Sequence, residues 1–174
     1  MASRHACRPG FLLMVAALAG AATTAAQAAC PQALAVYSEA GSNAEIAFSG
    51  PLGEADSMSH RFGLSFAGSG VMMEGVVMMA GEPDRPWGVV LHECPQGDAT
   101  GAEIDACTVW QGPIYALDES GGAGWLTLAA GPQPASASLL LPDFSAAVMQ
   151  SKAWREKRIE HLPGDVFRLS GCQE

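Results

Sequence analysis

Apolar residues along this chain come in short runs bounded by Gly, Pro, Asp and Asn, and several runs alternate with polar or small residues. Alternation with a period of two marks a strand with one buried face. Phe62, Leu64 and Phe66 alternate with Gly63 and Ser65, and the turn Ala67-Gly68-Ser69-Gly70 leads into a second run over 71–79. After the turn Glu82-Pro83-Asp84-Arg85-Pro86, Trp87, Val89 and Leu91 alternate until the run ends near Cys94. Further strands are expected over 109–117, 125–129, 139–141 and 166–170. Pro113 inside the first of these demands a sheet edge or a bulge, because proline offers no N–H to a ladder.

Two stretches carry helix signals instead. Thr100 followed by Glu103 forms a capping box for a short helix through Cys107. Asp143 is placed to cap a helix from Phe144 to about Arg158, with Phe144, Ala147, Val148 and Trp154 on one side of a 3.6-residue wheel. The pattern predicts a mainly β fold: an antiparallel β-sandwich or open barrel with one C-terminal helix packed on the sheet. An α+β two-layer arrangement is the alternative. No repeat or linker divides the chain after its N-terminal segment, so a single globular domain is expected over 29–174.

Composition sharpens this picture. In a chain of 174 residues, 20 Gly and 11 Pro exclude a helical bundle or coiled coil, and a 49% apolar content excludes disorder. The N-terminal segment reads as an address. Arg4, His5 and Arg8 precede the apolar stretch FLLMVAALA, and Ala26-Gln27-Ala28 supplies the small residues that signal peptidase requires. A signal peptide is therefore expected over 1–28. Its apolar run is well short of the roughly 20 residues that span a bilayer. Gln27 stands where a lipobox carries Leu, so lipid attachment at Cys30 is not expected. The later apolar stretch 62–80 is broken by Glu74 and four glycines and reads as strands, so no membrane span is expected after signal removal. The reading is an exported protein, periplasmic or secreted.

Four cysteines follow the signal: Cys30, Cys94, Cys107 and Cys172. An even count in an exported chain reads as disulfides, and no C-x-x-C spacing supports a redox pair or a zinc ribbon. Of the three possible pairings, the favoured one joins Cys94 to Cys107 across a short polar loop and Cys30 to Cys172 across the domain.

Charge narrows the partners. The net charge is −9, and residues 29–151 hold only Arg61 and Arg85 against fourteen acids, while five basic residues cluster between Lys152 and Arg168. Nucleic acid and anionic membrane surfaces demand the opposite sign, so a cationic protein or peptide is the favoured partner. The segment from Cys94 to Tyr115 is the favoured recognition element. It combines a stapled loop, the carboxylates Glu103 and Asp105, and the aromatic residues Trp110 and Tyr115, with His92 just before it.

Two other chemistries compete. Met58, His60, Met72 and Met78 suggest a copper-handling site, because soft thioethers hold Cu(I). Strand geometry opposes it: same-face positions six residues apart stand about 20 Å apart along a strand. A small hydrolase has Gly63-x-Ser65-x-Ala67 in its favour, with His60, His92 and His161 as partners, but the motif lacks its last glycine and sits within a strand pattern. The carboxylates Glu39, Glu45, Glu93, Glu103 and Asp105 follow no spacing rule, and no glycine loop suited to phosphate is present, so no cofactor is expected.

The run Cys-Pro-x-Gly-Asp-x-Thr-Gly from Cys94, with Asp105-Ala106-Cys107-Thr108-Val109-Trp110-Gln111-Gly112 and the closing Asp165-Val166-Phe167…Cys172, resembles uncharacterised exported proteins of alphaproteobacteria. The resemblance implies export and carries no activity. The expectation is thus a periplasmic, non-enzymatic binding or interaction protein with an anionic surface, with the copper-handling and hydrolase readings as alternatives.

Overall fold

Among the described residues, alternating apolar runs and short flanking segments build ten strands: β1 (Ala35–Ser38), β2 (Ala44–Phe48), β3 (Met58–Phe66), β4 (Met72–Ala80), β5 (Arg85–Leu91), β6 (Thr108–Pro113), β7 (Tyr115–Leu117), β8 (Ala123–Trp125), β9 (Ser138–Leu140) and β10 (Val166–Cys172). They are seen in a computed structural model that describes residues 30–49, 58–127 and 133–173. The signal peptide expected over 1–28 lies outside the described residues, as does most of the C-terminal part of the strand expected over 125–129.

All pairings are antiparallel, and one sheet runs β6-β5-β4-β3-β2-β1-β10-β9-β7-β8. The single strand expected over 109–117 is two strands separated by Ile114 alone. Its first half pairs with β5 and its second half with β9, which stand far apart in the strand order. One residue thus draws the distant parts of the sheet together and curls it into a half-barrel. Pro113 sits at the bend, on the edge strand that its missing N–H demands. The mainly β, open-barrel expectation describes this architecture.

The concave face carries the core. Tyr37, Phe48, Phe62, Leu64, Met73, Val77, Val90, Trp110, Ile114 and Phe167 are all buried there. Phe48 meets Tyr37, His60 and Phe62 with ring centroids 5.9, 5.4 and 5.5 Å apart. Glycine makes room for one of these rings: a Cβ on Gly75 would stand 2.1 Å from the Phe62 ring. Aromatic side chains fill the curl, as they do in small barrels.

Two disulfides staple the fold, in the favoured pairing. Cys30–Cys172 joins the segment before β1 to the end of β10, with Cα atoms 5.7 Å apart, and Cys94–Cys107 spans 5.1 Å. Among the described residues three short α-helices stand where two were expected: α1 (Gly101–Cys107), as the sequence suggests, and α2 (Phe144–Gln150) and α3 (Lys152–Arg155) in place of one C-terminal helix. The helix expected from Phe144 to Arg158 breaks at Ser151, whose extended backbone (φ −67°, ψ 156°) ends α2 while its Oγ accepts from the Trp154 N–H at 3.2 Å and caps α3. Asp143 is not the expected side-chain cap. It adopts a left-handed conformation (φ 61°), and the Asp165 carboxylate instead accepts from the Asp143 and Ser145 N–H groups at 3.1 and 2.8 Å. Among the described residues no helix is long and apolar enough to cross a membrane.

Candidate functional site

The capping box expected from sequence fixes α1. The Glu103 N–H reaches Thr100 Oγ1, and the Thr100 N–H donates to Glu103 Oε2 at 2.8 Å. The Thr100 N–H and the Thr100 hydroxyl both donate to this carboxylate, and these two bonds to its ionised form hold the Glu103 carboxyl below its ordinary range. The last residue of α1 is the disulfide-bonded Cys107, and β6 begins at the next residue, so the staple sets where α1 stands against the strand.

On the other side, Trp110 locks α2 to β6. Its indole N–H donates to the Pro142 carbonyl at 2.9 Å, and its ring meets Phe144 edge-to-face at 5.9 Å. Trp110 is therefore a core residue, 3% exposed, rather than an exposed anchor.

Between these walls lies a groove of about 1080 Å³. Every residue of β6 lines it, with α1 on one side and the small residues Ala146 and Ala147 of α2, then Lys152 and Arg155 of α3, on the other. Trp87 and Pro142 also line it. Of the residues singled out from sequence, the groove gathers His92, Glu103, Asp105 and Trp110.

Tyr115 lies elsewhere. It is paired across β7–β8 with Trp125 and across β7–β9 with Leu140, which in turn faces Val166 of β10. Directly opposed residues share a sheet face, so these four form an apolar row across four strands. Trp125 is 51% exposed in that row.

Electrostatics at the groove centre on Glu93, which follows β5 with a left-handed backbone (φ 55°). Its carboxylate accepts from Arg158 at 2.6 Å and Lys152 at 3.0 Å, and these bonds pull its pKa down to about 2. Glu93 thereby ties the helical segment to the end of β5. Burial lowers the pKa of the adjacent His92, which keeps the imidazole neutral near pH 7. Counting the Arg158 that pairs with Glu93, four carboxylates (Glu93, Glu103, Asp105 and Asp143) stand against the three cations Lys152, Arg155 and Arg158, and the groove keeps a small net negative charge.

The copper candidates are spread out. Met72 and Met78 stand towards opposite ends of an uninterrupted β4. A bulge in β3 sets Met58 opposite Met78 but His60 opposite Val77, consecutive residues on opposite faces of β4. His60 is buried, with Nε2 3.0 Å from the Thr127 carbonyl oxygen. Among the described residues no three His, Cys, Asp or Glu side chains converge as metal ligands. Ser65, the hydrolase candidate, sits inside β3 opposite Glu45 and Met72, not at a strand-to-helix turn.

Sequence reasoning passed over the second wall of the groove and the role of Glu93. The signal was present in the five basic residues clustered near the C-terminus of an otherwise acidic chain, two of which, Lys152 and Arg158, pair with Glu93. Comparison with protein-family models, with curated proteins and with solved structures gives no match for this chain.

Proposed function

We propose that this protein is an exported, non-enzymatic binding module that seats a cationic polypeptide segment in the groove between α1, β6 and α2–α3. The observation that carries this reading is the net-anionic lining of a groove built on an edge strand. Its walls are held by a disulfide on one side and by the Trp110–Pro142 bond on the other, so the site is preformed and little ordering cost opposes binding. Two disulfides fit maturation in an oxidising compartment, and the resemblance to exported alphaproteobacterial proteins points the same way.

Calorimetric titration of the mature, unreduced protein with a lysine-rich peptide and its glutamate counterpart tests the reading. The lysine peptide should bind, weaken as salt rises, and lose affinity to the double variant Glu103→Gln/Asp105→Asn. Equal binding of the glutamate peptide, or affinity indifferent to salt, would remove charge as the basis of recognition.

A further inference from the structure

Among the described residues β6 has a strand neighbour on one side only, β5, and the groove lies along it. Antiparallel pairing fixes which main-chain groups point each way. The Ile114 N–H donates to the Pro86 carbonyl at 3.1 Å, which sets the phase of the ladder. Gly112 and Trp110, opposite Gly88 and Val90, therefore turn their N–H and C=O towards β5. Gln111, opposite Val89, and Pro113, opposite Trp87, turn theirs to the other edge. Proline has no N–H to offer, and a register shift lies between the pairings of Trp110 and Thr108, so Gln111 is the regular position presenting both a donor and an acceptor.

We propose that the groove takes its ligand by strand addition: an extended polypeptide pairs its main chain with the Gln111 N–H and C=O and the Pro113 C=O. This rests on the groove being the binding site, and it adds how the segment is held. Main-chain pairing supplies affinity with little demand on sequence. Charge supplies the preference. Glu103 and Asp105 are exposed on α1, which runs directly into the first residue of β6, so the cationic residues of the ligand belong at that end. The occupant is thus an extended peptide with lysine or arginine near one end, not a folded helix or a small molecule.

The test uses an acetylated octapeptide of alternating lysine and threonine, together with a set of analogues each N-methylated at one successive residue. Strand pairing presents alternate N–H groups to β6, so methylation should weaken binding with a period of two, by about ten-fold at the paired positions, the equivalent of one lost hydrogen bond. Gln111→Pro, which removes the edge-facing N–H while sparing the bonds to β5, should cost a similar factor, and Gln111→Ala should stay within about two-fold. A flat methylation profile with binding retained would overturn strand addition and leave the groove as the site. Failure of the unmodified peptide to bind would overturn both.

Discussion

Replacing both cysteines of one disulfide by alanine, in two parallel variants, separates the structural role of each staple from its role at the groove. Cys30–Cys172 joins residues 142 apart and Cys94–Cys107 residues 13 apart. Loop-closure entropy assigns the first about 5 kcal/mol and the second about 3 kcal/mol, both upper figures because the unfolded chain is not a free coil. The short loop is nested inside the long one, yet removing its few residues from the longer loop changes a logarithm negligibly, so the two costs add. The difference of about 2 kcal/mol corresponds to roughly 4–8 °C in melting temperature for a domain of this size. Urea and thermal melts of the oxidised variants read it. Removal of Cys30 and Cys172 should lower stability more, and removal of Cys94 and Cys107 should weaken peptide binding more, because only the second pair sets α1 against β6. A short-loop variant less stable than the long-loop one, or a long-loop variant that loses binding while still folded, would refute this division of roles.

Other outcomes follow from the packing and the ion pairs. Gly75→Ala places a methyl 2.1 Å from the Phe62 ring and should cost about 1–3 kcal/mol or more in urea melts, whereas Gly124→Ala, with nothing within 4 Å, should stay within about 0.5 kcal/mol. The folded pKa of Glu93, about 2, lies below its ordinary 4.5, so its contribution to stability is complete above about pH 4.5 and lost as pH falls towards 2. Glu93→Gln should flatten that limb of the stability–pH curve, and an unchanged limb would show that the Lys152 and Arg158 contacts do not tie the helical segment to the end of β5. Trp110→Phe keeps the ring contact with Phe144 but leaves the Pro142 carbonyl without its donor, for a loss of about 1 kcal/mol by chemical denaturation and faster amide exchange in α2.

Much of the fold was legible because local patterns and tertiary packing agree. The alternation of Phe62, Leu64 and Phe66 is the inward face of β3, and the Thr100–Glu103 box is a real cap. Where they disagreed, a distant group decided. Asp143 looks like an N-cap, yet Asp165, far along the chain, accepts the N–H bonds and frees Asp143 to turn left-handed. The wheel through 144–158 hid a break at Ser151, because serine is as good a cap for a new helix as a tolerated interior residue. At the site, the sequence identified one wall. His92, Glu103 and Asp105 lie within a short stretch, but the opposing wall of α2–α3 meets them only through the curl of the sheet. Trp110 was visible as an aromatic residue beside a stapled loop; that its N–H points at Pro142 belongs to the three-dimensional packing.

Backbone amide shifts of the isotope-labelled, unreduced protein, followed while the lysine–threonine octapeptide is added, test the groove most directly. The largest changes should fall on Ala106, Gln111, Gly112 and Gln150, around the groove. Changes concentrated instead on Tyr115, Trp125, Leu140 and Val166 would place recognition on the exposed apolar row and contradict it.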